Sequence, residues 1–193
     1  MLSYKESLKI LKETEALLEG HFILSSGLRS KQYIQCAKLL SHPNKAEAIC
    51  SSLCEKIKKV FNKIDIILSP AIGGIVVGYE LGRQLKVETI FAERLDQKLL
   101  LRRGFKIPEN SNVLVVEDVI TTGKSALECS ELIEANKSKL VGYACIIDRS
   151  NSKSLIKDKI VSQVKLKIDT YKNNELPDEL KKIQPTKPGS RNL

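Results

Sequence analysis

Apolar and polar positions change period several times along the chain, and each change predicts an element. Leu8, Leu11, Ala16 and Leu18 recur at roughly helical spacing after Ser3, a good N-cap, and Gly20 is the expected stop. Residues 21–24 and 31–36 read as strands around the turn Ser25-Ser26-Gly27-Leu28. Pro43 then opens a helix running to Val60, with proline near the first position, where a missing N–H costs nothing.

From residue 64 onward, short apolar runs alternate with helical stretches. Runs 64–69, 88–92, 113–116 and 140–147 predict buried strands, and helices are expected up to Leu85 and from Gly123 onward. Alternation of this kind predicts an α/β fold, a Rossmann-like parallel sheet flanked by helices, with ligands gathered at the carboxyl ends of the strands. Three turns carrying polar chemistry follow strand ends: 70–74, 117–125 and Asp148-Arg149. Residues 160–168 suggest an edge strand, and the proline- and glycine-punctuated stretch 185–191 suggests irregular chain.

Length and composition add bounds. The 193 residues suit a single domain. No apolar run approaches the length of a membrane span, and the first six residues lack a signal-peptide core, so the expectation is a cytoplasmic protein without a membrane partner. The net charge of +9 raises nucleic acid as a partner, but aromatics are 5% of residues and tryptophan is absent, so base-stacking platforms are scarce. Residues 151–193 hold ten basic and five acidic side chains, read as a solvated basic surface. Residues 94–106 hold five basic residues against one acid, a local site for anions. No nucleic acid is expected. The five cysteines have no metal-site spacing and read as small buried hydrophobes.

The most informative stretch is 113–125. Its apolar run ends in Glu117-Asp118, and Val119-Ile120-Thr121-Thr122-Gly123-Lys124-Ser125 then leads into a helical pattern. Unpaired amides and the positive end of a helix dipole favour a phosphate at such a terminus. Gly123-Lys124-Ser125 has the ending of a triphosphate-binding loop, yet Asp118 stands where that loop has its first glycine. Carboxylates repel a triphosphate but accept hydrogen bonds from vicinal hydroxyls. A sugar phosphate satisfies both halves, with its diol on the acids and its 5′-phosphate on the turn. An ordinary strand–turn–helix with incidental acids remains the alternative. For Ala71-Ile72-Gly73-Gly74 the alternatives are a ligand-binding turn and a ligand-free tight turn. For residues 93–105 they are a mobile flap and a solvent-facing hairpin.

These residues resemble the signature of the type I phosphoribosyltransferases, which bind phosphoribosyl pyrophosphate (PRPP). Gly20-His21-Phe22, Ser26-Gly27, Tyr33, Phe91-Ala92-Glu93-Arg94, Arg102-Arg103-Gly104-Phe105 and the terminal Lys187-Pro188-Gly189-Ser190-Arg191 are similar to the orotate phosphoribosyltransferase family within them. The resemblance implies a hood segment over residues 1–40, a parallel-sheet core over about 41–150, a flexible flap, and a C-terminal extension over 151–193. It implies that Glu117 through Ser125 and Ala71 through Gly74 bind PRPP, that Thr121 and Arg149 contact orotate, and that Lys98, Arg94 and Asp118 act in catalysis. Arg149 has a second reading as an ion-pair partner of Asp148. Mg²⁺, held mainly by PRPP rather than by protein ligands, is the implied cofactor, and a homodimer is the implied assembly. Two departures stand out: Ser25 replaces a lysine that many members carry, and the flap offers Lys98 without a histidine. A transferase for a purine base and a non-catalytic PRPP-binding regulator are the rival functions.

Overall fold

Two sheets organise the chain in the computed structural model, which describes residues 1–24, 26–150 and 154–188. In chain order the elements are α1 (Tyr4–Glu13), β1 (Leu17–Ile23), β2 (Arg29–Ile34), α2 (Cys36–Leu40), α3 (Pro43–Lys58), β3 (Ile66–Pro70) and α4 (Gly73–Leu85). They continue with β4 (Glu88–Leu95), β5 (Lys98–Leu101), β6 (Asn112–Ile120), α5 (Lys124–Ala135), β7 (Lys139–Asp148), β8 (Ile160–Lys165), β9 (Thr170–Tyr171) and α6 (Asp178–Lys181).

The large sheet has the order β5-β4-β3-β6-β7-β8. All neighbours are parallel except the β4–β5 hairpin. Counting only the parallel strands by chain position gives 2-1-3-4-5, a doubly wound order whose direction reverses between β3 and β6. The sheet is apolar on both faces because its strands alternate between two cores. Leu114 and Val116 of β6 pack with Leu53 and Ile57 of α3 and with Val77 and Leu81 of α4. Val113 and Val115 pack instead with Ala126, Cys129 and Ile133 of α5. Burial on both faces explains why these strands read as continuous apolar runs.

The small sheet, β1-β2-β9, is antiparallel and comes from the two ends of the chain. Here the structure departs from the expected helix over 3–20. Ser3 does cap α1, in a full capping box with Glu6. The helix ends at Glu13, because the Thr14 hydroxyl bonds back to Ile10 O (2.8 Å) and Glu15 turns left-handed at φ +56°. Ala16 and Leu18 therefore lie beyond it, and Gly20 sits within β1. Cys36, expected at the end of a strand, starts the short helix α2.

The C-terminal residues also differ from a solvated basic tail. β8 is the expected edge strand, with Val161 and Val164 buried, and β9 is an edge of the small sheet. All five cysteines are buried free thiols. Among the described residues no helix is long and apolar enough to cross a membrane. Ser25, residues 151–153 and the Gly189-Ser190-Arg191 part of the tail motif lie outside the described residues.

Candidate functional site at the sheet's carboxyl edge

β6 runs past the expected end at Val116 and continues to Ile120, so Glu117 and Asp118 are strand residues held by pairing with β7. The sheet, not a loop, fixes their position. Ile120 is fully buried in the core beside α5, so its side chain is not offered to a ligand. Thr121 and Thr122 then emerge exposed.

The turn closes at Gly123, whose φ of +81° suits a residue without Cβ; a Cβ there would also lie 2.6 Å from the Ile156 side chain. Leu127 N–H is bonded to Gly123 O (2.9 Å), which places the turn's amides ahead of the α5 ladder, at the positive end of its dipole. Lys124 N–H lies 3.5 Å from Thr122 Oγ1, and the Lys124 side chain is exposed.

The second turn meets the first across the switch point. Ala71 N–H donates to Ala92 O (2.8 Å), and the Ala71–Ile72 peptide is cis. A Cβ on Gly73 would stand 2.7 Å from Asp118 Oδ1. Gly73 therefore permits the 70–74 main chain to approach the acid pair, a contact that any larger residue would block.

The acids occupy a poorly solvated place. Burial, and then the neighbouring charge of Asp118, push the Glu117 carboxyl up to about 8. Burial also raises Asp118, opposed by the Val119 N–H donated to its Oδ1 at 2.9 Å. α2 abuts the pair from below, with Cys36 Sγ 3.9 Å from Asp118 O.

Arg149 follows β7 and lies beside the end of β6, its N–H bonded to Ile120 O (2.8 Å). It does not pair with Asp148, which instead accepts Ser150 N–H (2.7 Å) and faces Lys165 at 3.6 Å. Arg149 Nε is buried with no partner, and burial lowers the pKa of the guanidinium. The residue is half-buried, and a buried N–H left without an acceptor at a strand end is costly unless a ligand supplies one.

Residues 93–105 resolve into a hairpin that forms the sheet's antiparallel edge. Pro70 pairs with Ala92, the last match with β3, so Arg94 and Lys98 project beyond the carboxyl edge. Leu99 anchors the hairpin in the core beside α5. Arg94 is held by Glu128 of α5 at 2.8 Å, a partner that the sequence did not suggest. Arg103 grips Glu93 through two bonds (3.0 and 2.9 Å) and lies over Phe91, so its part of the motif braces the hairpin. Lys98 is exposed at the hairpin's turn.

Residues 36–180 match the model of the phosphoribosyl transferase domain. The chain is 47% identical over 186 residues to an orotate phosphoribosyltransferase of Caldicellulosiruptor saccharolyticus, covering 96% of each protein. It is likewise 47% identical over 190 residues to the orotate phosphoribosyltransferase of Methylorubrum populi, covering 98% of this chain and 97% of that one. Among solved structures, an orotate phosphoribosyltransferase from Aeropyrum pernix superposes with a TM-score of 0.69 at 25% identity, over 82% of this chain and 93% of the other. An adenine phosphoribosyltransferase from Saccharomyces cerevisiae shares the fold, with a TM-score of 0.66 at 21% identity over 81% and 99% of the two chains.

Proposed function

Since the chain belongs to the phosphoribosyltransferase family, we propose that it transfers the ribose 5-phosphate group of PRPP to N1 of orotate, giving orotidine 5′-monophosphate and pyrophosphate, a step of pyrimidine biosynthesis. The observation that carries this reading is the meeting of two turns at the switch point, with Asp118 against Gly73, and Arg149 at the end of the neighbouring strand with a buried Nε that lacks a partner.

Glu117 and Asp118 take the ribose hydroxyls. The Thr121–Ser125 turn takes the 5′-phosphate on amides, and the Ala71–Gly74 turn takes pyrophosphate in the same way. Arg149 receives the orotate carboxylate, for which a planar guanidinium offers two parallel bonds. Thr121 lies between the two substrates and reaches orotate from the phosphate turn.

As the bond to pyrophosphate breaks, positive charge grows on the ribose ring and negative charge on the leaving group. The acid pair favours the first; Arg94 and Lys98 neutralise the second. Glu117, with its raised pKa, gains most from a nearby developing cation, which draws the carboxyl back to its ionised form. Arg94 must exchange Glu128 for pyrophosphate to act this way, so hairpin movement and leaving-group binding are linked.

Mg²⁺ is the cofactor of this reading. It prefers a shell of hard oxygens, usually one or two carboxylates plus substrate phosphates, and Glu117 and Asp118 with PRPP's own oxygens fit that demand. Among the described residues no group of three or more acidic, histidine or cysteine side chains could hold a metal. When bound, the ion would add charge neutralisation at the pyrophosphate.

A homodimer is part of the proposal. Ile72 just before α4, and Val76 and Tyr79 in its first two turns, are 86%, 50% and 65% exposed, and Leu95 and Leu100 are exposed on the adjoining hairpin. This apolar surface flanks the site and suits a second copy of the chain. Sedimentation equilibrium should find a dimer; monomer at all concentrations would remove that assembly.

One assay tests the function. Protein, Mg²⁺ and PRPP are mixed with orotate or with adenine, and pyrophosphate release is followed. Release with orotate is expected. Release with adenine alone would make the enzyme a purine transferase, and PRPP binding without turnover would make it a regulator.

A further inference from the structure

β1 is not a regular strand. Its register with β2 slips between Glu19 and Phe22, so that Gly20 and His21 together face Lys31. A bulge of this kind bends the strand and re-aims a side chain. Here it leaves two successive residues buried, His21 at 4% and Phe22 at 6% exposure. Phe22 packs on Tyr33, the ring centroids 5.8 Å apart. The His21 ring meets the C-terminal segment instead, with Nδ1 3.0 Å from Ile183 O. A carbonyl only accepts, so Nδ1 is the donor in this bond. Nε2 is buried with no partner.

The main chain around this bond is joined as well. Thr186 N–H donates to His21 O, and Ile23 N–H donates to Thr186 O, both at 2.8 Å. Phe22 and Thr186 form a parallel bridge. β9 pairs with β2 on the far side. Both edges of the small sheet are thus supplied by residues beyond 168. The segment from 183 to 187 is itself exposed, with Ile183 at 46%, and its nearest buried anchor on the preceding side is Leu180. A strap with so little burial depends heavily on each hydrogen bond it makes.

We propose that His21 is a positioning residue for base recognition: by clasping Ile183 it holds the strap on β1 and sets the hood over the orotate end of the site. No atom of His21 needs to reach a substrate. Resting on the orotate reading above, the clasp acts on the base half of the reaction and leaves the PRPP half alone, because the acid pair and the phosphate turn are built into the large sheet.

The test compares wild type with His21→Leu, His21→Asn and Thr186→Pro. Leucine fills the space without a donor, asparagine returns an N–H near the place of Nδ1, and proline removes the strap's own N–H at an exposed position. His21→Leu and Thr186→Pro should raise the orotate KM about tenfold, equivalent to about 1.4 kcal/mol, the scale of one hydrogen bond, while the PRPP KM stays within about twofold. His21→Asn should restore most of the loss. Unchanged orotate KM, or a parallel rise for both substrates, would overturn the proposal; if His21→Leu does not fold, Thr186→Pro decides. Amide exchange at Ile23 and Thr186 reads the clasp without substrate: faster exchange in His21→Leu than in His21→Asn supports it, and equal exchange refutes it. Wild-type protein inactive on orotate would refute the substrate reading and leave the exchange measurement to judge the clasp.

Discussion

The acid pair with its phosphate turn, and the hood, solve the same problem of placing side chains by opposite means. Glu117 to Ser125 is one uninterrupted stretch, positioned by a strand with neighbours on both sides and a helix that starts where it ends. The hood is assembled from β1 and β2 near one end of the chain and β9 and the strap near the other, so the pairs that join its two parts span more than 130 residues. The first region is stiff because its own sequence makes a buried strand. The second holds only as long as distant segments find each other. Substitutions should therefore divide by substrate, with the PRPP half sensitive to local geometry and the orotate half sensitive to remote contacts.

Lys98→Ala is the strongest test, because the hairpin belongs to neither region and, in the proposed mechanism, serves the transition state. Turnover should fall by about 10²–10³ with both KM values little changed, as measured by steady-state kinetics. Wild-type turnover would remove Lys98 from the chemistry and leave Arg94 as the hairpin's cation.

A matched pair sharpens the division by substrate. Arg149→Ala should raise the orotate KM by roughly 10–10²-fold through loss of a charge-assisted bidentate contact, while the PRPP KM holds. Gly73→Ala should do the reverse. Its new Cβ would stand 2.7 Å from Asp118 Oδ1, forcing the carboxylate or the turn to shift, and the PRPP KM should rise about tenfold. If either variant moves both constants equally, the two halves are not separable.

The smallest effect is protonic. Glu117 is harder to ionise in the folded chain than in the unfolded one, so the folded state holds the extra proton between about 4.5 and about 8. Stability should accordingly fall as pH rises through that window, and Glu117→Gln should flatten the fall. Calorimetry in buffers of different ionisation enthalpy should also show PRPP binding near pH 7 releasing up to about one proton, a release absent from Glu117→Gln. No difference between the two proteins would place the titration elsewhere.

What could be read from the sequence follows the same division. Alternating apolar runs and helical periods disclosed the parallel sheet, and the turns 70–74 and 117–125 were visible because local residue types create them. The end of α1 is hidden in the sequence because Ala16 and Leu18 continue the helical spacing, while the Thr14 back-bond and left-handed Glu15 that stop it give little outward signal. The length of β6 was underestimated because charged residues interrupt its apolar run; pairing with β7 carries the strand onward. The hold of Glu128 on Arg94, the unpaired state of Arg149 and the clasp at His21 are contacts between separated segments, which no period within one segment encodes.

The late position of both hood edges has a consequence for biosynthesis. By the time Lys165 has left the ribosome, every strand of the large sheet is available to pair, and that sheet carries the acid pair and the turn proposed to hold the diol and the phosphate. β9 and Thr186 emerge afterwards. On the proposed reading, a nascent chain acquires the capacity to hold the activated sugar before it can finish the cover over the base, in keeping with the N-to-C order of folding during synthesis.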